Sequence, residues 1–445
     1  MSELLIMIEG SLIGRVHADK AGRLSLAYEA GWRESPQGHS LSVSMPLAQI
    51  TYLRKPVLSY LWNLLPENPN VLQRWGQQYH VSAANPFKLL ANVGADVPGA
   101  AQFIPPERLE EIQSAQQPTI EWMTIDELGE RLQQLRADIA AVRRPGDIGK
   151  MSLPGAQAKT AYFWDKQANR WGVPGGRTPT THVIKPCVPG FDGLVENQHL
   201  CQDIAARLGM PAANSYVLAL DQTYIVVERY DRLPPAGSSF VQRIHQEDMC
   251  QALGLMPGKK YQEDGGPGIA QIVTLIRRVS SDPDVDVDRF LQANMFNWLI
   301  GGTDAHAKNY SLLIGAGDEI RLAPLYDLSS QLPYPELIEQ RVAMKIGDYH
   351  DIRRVGIADW RKLARDCTIE EEHVLTMLTG MAKALPDAIS AAREQALIEG
   401  LSESIIAPFA QQLIKHVGER LATITAVTSS RSSASMKARR GDPSG

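Results

Sequence analysis

At 445 residues the chain is long enough to bury two or three hydrophobic cores, so we expect at least two subdomains. Its net charge of −5 and pI near 6.1 argue against a protein that binds nucleic acid by itself through a broad basic face. The cysteines form no Cys-x-x-Cys pair, the N-terminus is too short and acidic for a signal peptide, and no apolar run approaches the ~20 residues that span a bilayer. We therefore predict a cytoplasmic protein with no membrane contact.

The first predicted subdomain, residues 1–105, combines short β-rich runs with short helices. Three runs separated by glycines predict an antiparallel meander, at 4–8, 12–16 and 24–28. The stretches that follow predict three helices and a closing strand, at 57–65, 69–79, 86–93 and 100–104. We place the subdomain boundary at the pair Pro105-Pro106.

Residues 106–232 are predicted to form a second β-rich unit. Thr124 and Glu127 have the spacing of a capping box, and the helix that they start is expected to run to about residue 142. The next predicted elements are a strand, a helix and a hairpin, at 180–186, 195–208 and 215–227.

Two features of this unit suit nucleotide binding, and each has a plain alternative. Small residues in 151–160 let backbone N–H groups approach phosphate oxygens, although a simple hairpin turn has the same composition. Lys185 ends a β-branched strand, as does the kinase lysine that contacts the α- and β-phosphates. A strand-terminal surface lysine would show the same pattern.

Residues 233–428 are predicted to be mainly helical, and the segment 429–445, rich in Ser, Arg, Lys and Gly, to be disordered. The predicted elements are helices at 247–253, 269–279, 285–300 and most of 369–426, with a hairpin at 311–322. The helix at 285–300 carries an apolar stripe that indicates core packing. We expect this buried helix to anchor the loop that follows it.

That loop has the Asp-x-x-x-x-Asn spacing of a protein-kinase catalytic loop, in Asp304 and Asn309, and Asp327 follows. Transfer of a γ-phosphoryl group needs a carboxylate that accepts the proton of the attacking hydroxyl, and oxygen ligands that hold Mg²⁺ against the phosphates. Asp304 would fill the first role, and Asn309 with Asp327 the second. The spacing alone is a weak signal, but the small-residue loop and Lys185 precede it in the order found in kinases.

Several segments of the chain resemble the HipA family, the serine/threonine-kinase toxins of bacterial HipBA toxin–antitoxin modules. The matching segments are 44–47 (SMPL), 63–67 (NLLPE), 155–160 (GAQAKT), 181–185 (THVIK), 246–251 (QEDMCQ), 264–269 (DGGPGI) and 303–309 (TDAHAKN). The resemblance extends from about residue 3 to about residue 425. It implies an α+β, bilobal protein-kinase-like fold with a β-rich N-lobe, an extra N-terminal subdomain and an all-helical C-lobe.

The resemblance also implies roles for individual residues. It makes Asp304 the catalytic base, Asn309 and Asp327 the Mg²⁺ ligands, and Ser152 an autophosphorylated serine whose modification displaces the nucleotide loop. The ATP-binding positions that it implies are Pro154, Gly155, Ala156, Gln157, Ala158, Lys159, Lys185, Glu228, Arg229, Tyr230, His306, Lys308 and Tyr326. A phosphate on Ser152 would add roughly −1.5 to −2 charges beside a loop that holds ATP phosphates.

One position departs from the family's pattern. Where the family has Asn-Glu after the strand lysine, this chain has Glu196-Asn197-Gln198, which leaves the partner of Lys185 open. Glu196 could substitute, but on a helix it points roughly 200° away from Gln198. Gln198 could instead accept a weaker hydrogen bond.

The resemblance favours a toxin kinase whose target is a translation-related protein, with an aminoacyl-tRNA synthetase such as glutamyl-tRNA synthetase as the family's target type. It implies ATP and Mg²⁺, a small helix-turn-helix (HipB-like) antitoxin as partner, and operator DNA contacted through that antitoxin. The alternative is a catalytically weak subunit that serves mainly as antitoxin-binding co-repressor. A small-molecule phosphotransferase would share the catalytic spacing but would not need residues 1–105. A basic patch could touch operator DNA or form a solvated helix face, at Arg353, Arg354, Arg361, Lys362 and Arg365.

Overall fold

The computed structural model describes residues 2–234, 240–336 and 339–438. Its N-terminal region is a five-stranded antiparallel sheet, in the order β4-β3-β2-β1-β5, with helices packed against it. The elements are β1 (Ser2–Ile8), β2 (Ser11–Ala18), β3 (Leu24–Tyr28), α1 (Ala30–Arg33), β4 (Thr51–Leu53), α2 (Lys55–Trp62), α3 (Pro69–Gln78), α4 (Pro86–Val93) and β5 (Gln102–Ile104). The predicted meander, helices and closing strand are confirmed.

Strand β1 shows how the sequence pattern builds this sheet. Leu4 and Ile6 belong to the core formed with the helices α2 to α4, whereas Leu5 and Met7 belong to a separate small core. Successive side chains of a strand point to opposite faces, so an unbroken apolar run is buried on both sides.

The second region is a six-stranded antiparallel sheet in the order β10-β11-β9-β7-β8-β6. Its elements are α5 (Leu109–Ser114), β6 (Thr119–Met123), α6 (Ile125–Ala137), β7 (Thr160–Asp165), β8 (Arg170–Gly175), β9 (His182–Pro186), α7 (Leu194–Arg207), β10 (Ser215–Ala219) and β11 (Thr223–Glu228). Helix α6 begins with the predicted Thr124–Glu127 capping box. It ends at Ala137 rather than near residue 142, because Asp138 adopts an extended conformation and its carboxylate accepts the N–H of Ala140.

The third region is mainly helical but also contains small sheets. It differs in this respect from the all-helical C-lobe that the resemblance implied. Its elements are β12 (Arg232–Leu233), β13 (Gln242–Arg243), β14 (His245–Asp248), α8 (Met249–Ala252), α9 (Ile269–Val279), α10 (Pro283–Ile300), β15 (Ser311–Ile314), β16 (Ile320–Leu322), β17 (Arg341–Ile346), β18 (Tyr349–Asp351), α11 (Ile357–Asp366), α12 (Glu371–Ile398) and α13 (Glu403–Ala438). Glu247 lies in β14 rather than in a helix, since β14 pairs with β15. Helix α13 continues to Ala438, within the segment 429–445 predicted to be disordered, and residues 439–445 lie outside the described residues.

Helix α10 is the centre of the largest core. Phe290, Phe296 and Trp298 on it are completely buried, so the helix is enclosed on several sides and holds its C-terminal end in a fixed position. Gly301 ends the helix in the left-handed conformation, with φ of 69°. A Cβ atom there would lie 2.6 Å from the Leu332 side chain, so only glycine fits at the entrance to the catalytic loop.

Across the described part of the chain, no helix combines the length and the apolar character that a membrane crossing requires.

Candidate active site

A cavity of about 650 Å³ is lined by residues from all three regions. It brings together, from distant parts of the chain, the predicted base, metal ligands and nucleotide loop. All predicted site residues except Ser152 and Ala158 line this cavity, which we call the nucleotide cavity.

Asp304, the predicted base, lies in the loop after α10 and is accessible from the nucleotide cavity. The hydroxyl of Tyr261 donates a hydrogen bond to its Oδ1 at 2.6 Å, and the Asn309 side chain donates to its backbone carbonyl at 2.8 Å. Burial raises the pKa of Asp304, the Tyr261 hydrogen bond opposes that rise, and the charge of Asp327 adds to it. The carboxylate is therefore held in one orientation while its second oxygen stays available to accept a proton.

Asp327 has a different electrostatic environment. Lys185 donates to its Oδ1 at 2.6 Å, and the Gln198 side chain donates to the same oxygen at 3.1 Å. Burial alone would raise the pKa of Asp327, but the charges of Lys185 and Lys159 lower it to about 2. The residue therefore stays ionised, as a metal ligand must.

These contacts identify the partner of Lys185, which the sequence left open. Gln198 donates a hydrogen bond to Asp327, rather than accepting one from Lys185. In the described part of the chain, the ion pair of Lys185 is with Asp327, and Glu196 is buried elsewhere on α7.

The oxygens in the cavity fit a magnesium ion. Asn309 uses its side-chain nitrogen to bond the loop, so in the described part of the chain its Oδ1 is available to a cation, and Asp327 lines the same cavity. The described residues hold no cluster of three His, Cys, Asp or Glu side chains that could bind a metal. Mg²⁺ usually takes one or two protein carboxylates and completes its shell with water and substrate phosphates, so a two-ligand site suits this metal.

The nucleotide loop is tied to the N-terminal region. The carbonyl of Gly155 accepts the backbone N–H of Glu67 at 3.1 Å, and Gly155 has φ of +103°, a conformation that favours glycine. The Lys159 ammonium donates to the Pro154 carbonyl at 2.9 Å, and a Cβ atom on Gly155 would lie 2.5 Å from that ammonium. Burial, with a smaller contribution from Lys185, lowers the pKa of Lys159 to about 8.

Ser152 lies behind this loop rather than in the cavity. It is fully buried, its hydroxyl donates to the Leu64 carbonyl at 2.7 Å, and its backbone N–H donates to the Asp96 carbonyl at 2.9 Å. A kinase could reach this hydroxyl only after the segment leaves the packing shown here.

The predicted adenine-side segment contributes unevenly. The rings of Tyr230 and Tyr326 stack with centroids 5.6 Å apart and form an aromatic wall of the cavity, and Glu228 pairs with Lys166 at 2.8 Å. Arg229 differs from the expectation: its guanidinium is buried against Asp231, Thr180 and the Val97 carbonyl. Its side chain therefore stabilises the junction with the N-terminal region and is not available to a nucleotide.

Lys308 is also committed to a structural contact. Its ammonium donates to the Asp248 carboxylate at 2.5 Å and to the Asn63 side chain at 2.8 Å, all three being buried. The lysine therefore joins the catalytic loop to the N-terminal region. The resemblance had instead implied that Lys308 contacts ATP. His306 lines the cavity, but burial lowers its pKa to about 3, so it is neutral near pH 7 and brings no charge to a phosphate.

Comparisons with known proteins agree with this geometry. Residues 4–104 match the model of the HipA N-terminal domain, and residues 151–389 match that of the HipA-like C-terminal domain. The chain belongs to the HipA family. The Sinorhizobium fredii protein Y4mE is 33% identical over 387 residues, which cover 86% of this chain and 90% of that protein. The serine/threonine-protein kinase toxin HipA of Shewanella oneidensis is 29% identical over 403 residues, 85% of this chain and 86% of its own.

A solved structure extends the comparison to the whole fold. The Shewanella oneidensis HipA chain, in a complex of HipA, HipB and operator DNA, superposes with a TM-score of 0.82 and 26% identity, covering 95% of this chain and 99% of that one. This HipA-family chain is therefore a protein kinase with a bilobal, kinase-like fold, as its sequence predicted.

Four residues of the HipA-family site were missed at the level of sequence. Lys260 and Tyr261 line the cavity beside Asp304, and Asn63 and Glu67 reach it from the N-terminal region. Lys260 pairs with Glu67 at 2.6 Å. The available signal was position in the sequence: Lys260 and Tyr261 lie shortly before the matching segment 264–269, and Asn63 and Glu67 lie within the segment 63–67.

Proposed function

We propose that this chain is an ATP- and Mg²⁺-dependent serine/threonine kinase that acts as the toxin of a HipBA-type toxin–antitoxin module. The observation that carries the proposal is the convergence of Asp304, Asn309, Asp327 and Lys185 on one cavity that also holds the nucleotide loop. These are the groups that phosphoryl transfer requires, and with the nucleotide loop they come from four separate stretches of sequence, because Asp304 and Asn309 share one loop.

In the proposed reaction, Asp304 accepts the proton of the attacking serine hydroxyl on the oxygen that Tyr261 leaves free. Lys185 fixes Asp327 and lies where it can neutralise the α- and β-phosphates of ATP. A Mg²⁺ ion held by Asn309 and Asp327 would neutralise phosphate charge. Lys260 adds a cation close enough to Asp304 to lower the carboxylate's pKa, and it would stabilise the transferring group.

The proposed partners follow from the relatives. The similar Shewanella oneidensis structure contains HipB and operator DNA, so we include a small helix-turn-helix antitoxin, and operator DNA bound through it, as partners of this chain. The predicted basic patch is partly neutralised by its neighbours: Arg353 pairs with Asp351, Arg361 and Arg365 with Glu371, and Lys362 with Asp366. Its charge therefore gives little support to a direct contact with DNA.

The proposed substrate is a translation-related protein, with an aminoacyl-tRNA synthetase such as glutamyl-tRNA synthetase as the first candidate, together with Ser152 of the chain itself. Phosphorylation of Ser152 would inactivate the enzyme by displacing the nucleotide loop. The support is the family resemblance and the position of Ser152 directly behind that loop.

Incubation of the purified chain with Mg²⁺-ATP tests the proposal against the alternative of a non-catalytic co-repressor. We expect Mg²⁺-ATP to bind, measured by calorimetry, and the chain to gain phosphate, measured by intact-mass spectrometry. A chain that binds HipB-like antitoxin and operator DNA but neither binds ATP nor gains phosphate would favour the co-repressor.

A further inference from the structure

A second cavity, of about 390 Å³, adjoins the nucleotide cavity. The two cavities share Tyr261, Asp304 and Gln331, so the catalytic carboxylate lies where they meet. The other walls of the second cavity are formed by Glu263, Thr303, Glu339, Arg341, Val342 and Ala343.

We propose that this second cavity binds the phosphoryl acceptor, as a peptide segment that carries a basic side chain close to its serine. The proposal rests on the kinase function proposed above and adds the class of substrate. We call the second cavity the acceptor cavity.

The position of Asp304 supports an acceptor in this place. In phosphoryl transfer the attacking and leaving oxygens lie roughly in line, so the acceptor and the nucleotide must approach from different sides of the base. A serine in the acceptor cavity would give its proton to Asp304 while its Oγ forms a bond to the γ-phosphorus. The bond between that phosphorus and the bridging oxygen breaks, and ADP leaves with the electron pair.

The charges of the walls indicate a basic partner. Arg341 pairs with the carboxylates of both Glu263 and Glu339, and Glu263 also contacts His350, whose pKa is lowered by burial. Among the described residues the wall therefore carries more negative than positive charge. The Glu339 side chain is 85% exposed, so water weakens its pair with Arg341 and a ligand can compete for the carboxylate. Lys and Arg side chains satisfy such a wall, whereas an acidic peptide would be repelled by it.

Gln331 adds an unsatisfied acceptor to the wall that both cavities share. The residue is 6% exposed, and in the described residues its Oε1 has no hydrogen-bond partner. Buried amide oxygens are normally paired, and this one is shielded from the cavity, so a rotation of the Gln331 side chain would be needed to present it to N–H donors such as those of a peptide backbone.

The chain itself contains a segment of the proposed class. Lys150 lies two residues before Ser152, which we propose as a substrate in trans. A synthetic peptide of residues 146–158 is therefore a defined probe, and its Lys150→Ala and Lys150→Glu versions change the basic position alone.

The first experiment measures initial rates of phosphorylation of the three peptides by the full chain with Mg²⁺-ATP. We expect KM for the Lys150→Ala peptide to rise by about two- to fivefold, the size of a partly exposed ion pair, with kcat nearly unchanged. KM for the Lys150→Glu peptide should be higher still. Equal KM values for the three peptides, or a preference for the glutamate version, would overturn the proposal.

Enzyme variants test which residues of the acceptor cavity recognise the lysine side chain of the peptide. Glu339→Gln, and separately Glu263→Gln, should reduce the preference for the lysine peptide over the alanine peptide toward onefold. Glu336→Gln is the matched control, because Glu336 is exposed nearby but does not line the acceptor cavity. The Glu339 side chain is 85% exposed, so its variant remains informative even if Glu263→Gln disturbs folding. A preference that persists in both variants would place recognition elsewhere and overturn the assignment.

Calorimetry with Mg²⁺-ATP distinguishes a failure of the acceptor-cavity inference from a failure of the proposed function. A chain that binds Mg²⁺-ATP but phosphorylates none of the peptides would overturn the acceptor-cavity inference and leave the nucleotide site standing. A chain that does not bind Mg²⁺-ATP would overturn the proposed function, and the inference with it.

Discussion

Two aspartates in one cavity differ in their chemistry because their neighbours differ. Asp327 contacts Lys185, which lowers its pKa to about 2, whereas Asp304 has a hydroxyl partner and a pKa raised by burial. A carboxylate that must stay charged needs a cation beside it, and one that must take up a proton does not. In the proposed mechanism the metal ligand, Asp327, is paired with Lys185, whereas at the base, Asp304, burial outweighs the lowering effect of Lys260 on the pKa.

Asp304→Asn should remove the base while keeping the shape of the side chain. We expect kcat for peptide or self-phosphorylation to fall by about 10²- to 10⁴-fold, the usual contribution of a general base, with little change in the Kd for Mg²⁺-ATP. Asp387→Asn, an exposed change on α12, is the control. Wild-type kcat in purified Asp304→Asn would rule out the assigned role.

Asp327→Ala should act on binding instead. It removes a metal ligand and leaves Lys185 without its ion-pair partner, so we expect Mg²⁺-ATP to bind at least about tenfold more weakly. Titration calorimetry with and without Mg²⁺ measures this. In the wild type, Mg²⁺ should increase the affinity for ATP, and in Asp327→Ala most of that increase should be lost. An increase as large as that of the wild type would contradict the role of Asp327 as a metal ligand.

At the level of elements, the nucleotide loop carries a lysine, Lys159, whose pKa is lowered by burial into the range of ordinary assay pH. With a pKa of about 8, Lys159 is charged below that pH and loses its charge above it. Bound phosphates favour the protonated form, so ATP affinity should be greatest below pH 8 and should weaken as the pH rises to 9.

The pH dependence of the Kd for Mg²⁺-ATP between pH 6.5 and 9 tests this, with buffers of matched ionic strength. Lys159→Met should bind more weakly at low pH and show a flatter profile across about pH 8. A profile as steep as that of the wild type would show that another group titrates.

Much of the element order and the catalytic spacing could be predicted from the sequence, because both depend on local patterns. The apolar stripe of α10 and the Thr124–Glu127 capping box are examples. The side-chain contacts that the sequence did not predict involve distant partners: Lys308 bonds Asn63, 245 residues away, and Arg229 donates to Val97, 132 residues away. A motif gives the type of side chain at a position, but the tertiary fold determines which groups that side chain contacts.

For the whole molecule, the segment 63–67 joins the N-terminal region to both halves of the kinase. Asn63 bonds Lys308 of the catalytic loop, the carbonyl of Leu64 bonds Ser152, and Glu67 bonds both Gly155 and Lys260. The N-terminal region therefore contributes to the shape of the active site.

Phosphorylation at Ser152 would break this connection. A phosphate is a bulky dianion at neutral pH, and the hydroxyl it would replace is a fully buried donor to the Leu64 carbonyl. The modified residue cannot keep the packing shown here, so the segment 151–160 should leave its place between the N-terminal region and the second sheet. The backbone of the nucleotide loop would move with it.

Ser152→Asp and Ser152→Ala separate the effect of charge from that of the lost hydroxyl. Alanine removes one buried hydrogen bond and should lower the free energy of unfolding by about 1 kcal/mol while ATP still binds. Aspartate buries an unpaired charge, so we expect a larger loss of stability and much weaker Mg²⁺-ATP binding by calorimetry. After incubation of the wild type with Mg²⁺-ATP, mass spectrometry should find phosphate on the peptide that contains Ser152. Equal ATP affinity in the two variants, or phosphate found only on other peptides, would contradict this mechanism, because the switch requires both the modification and the displacement of the loop.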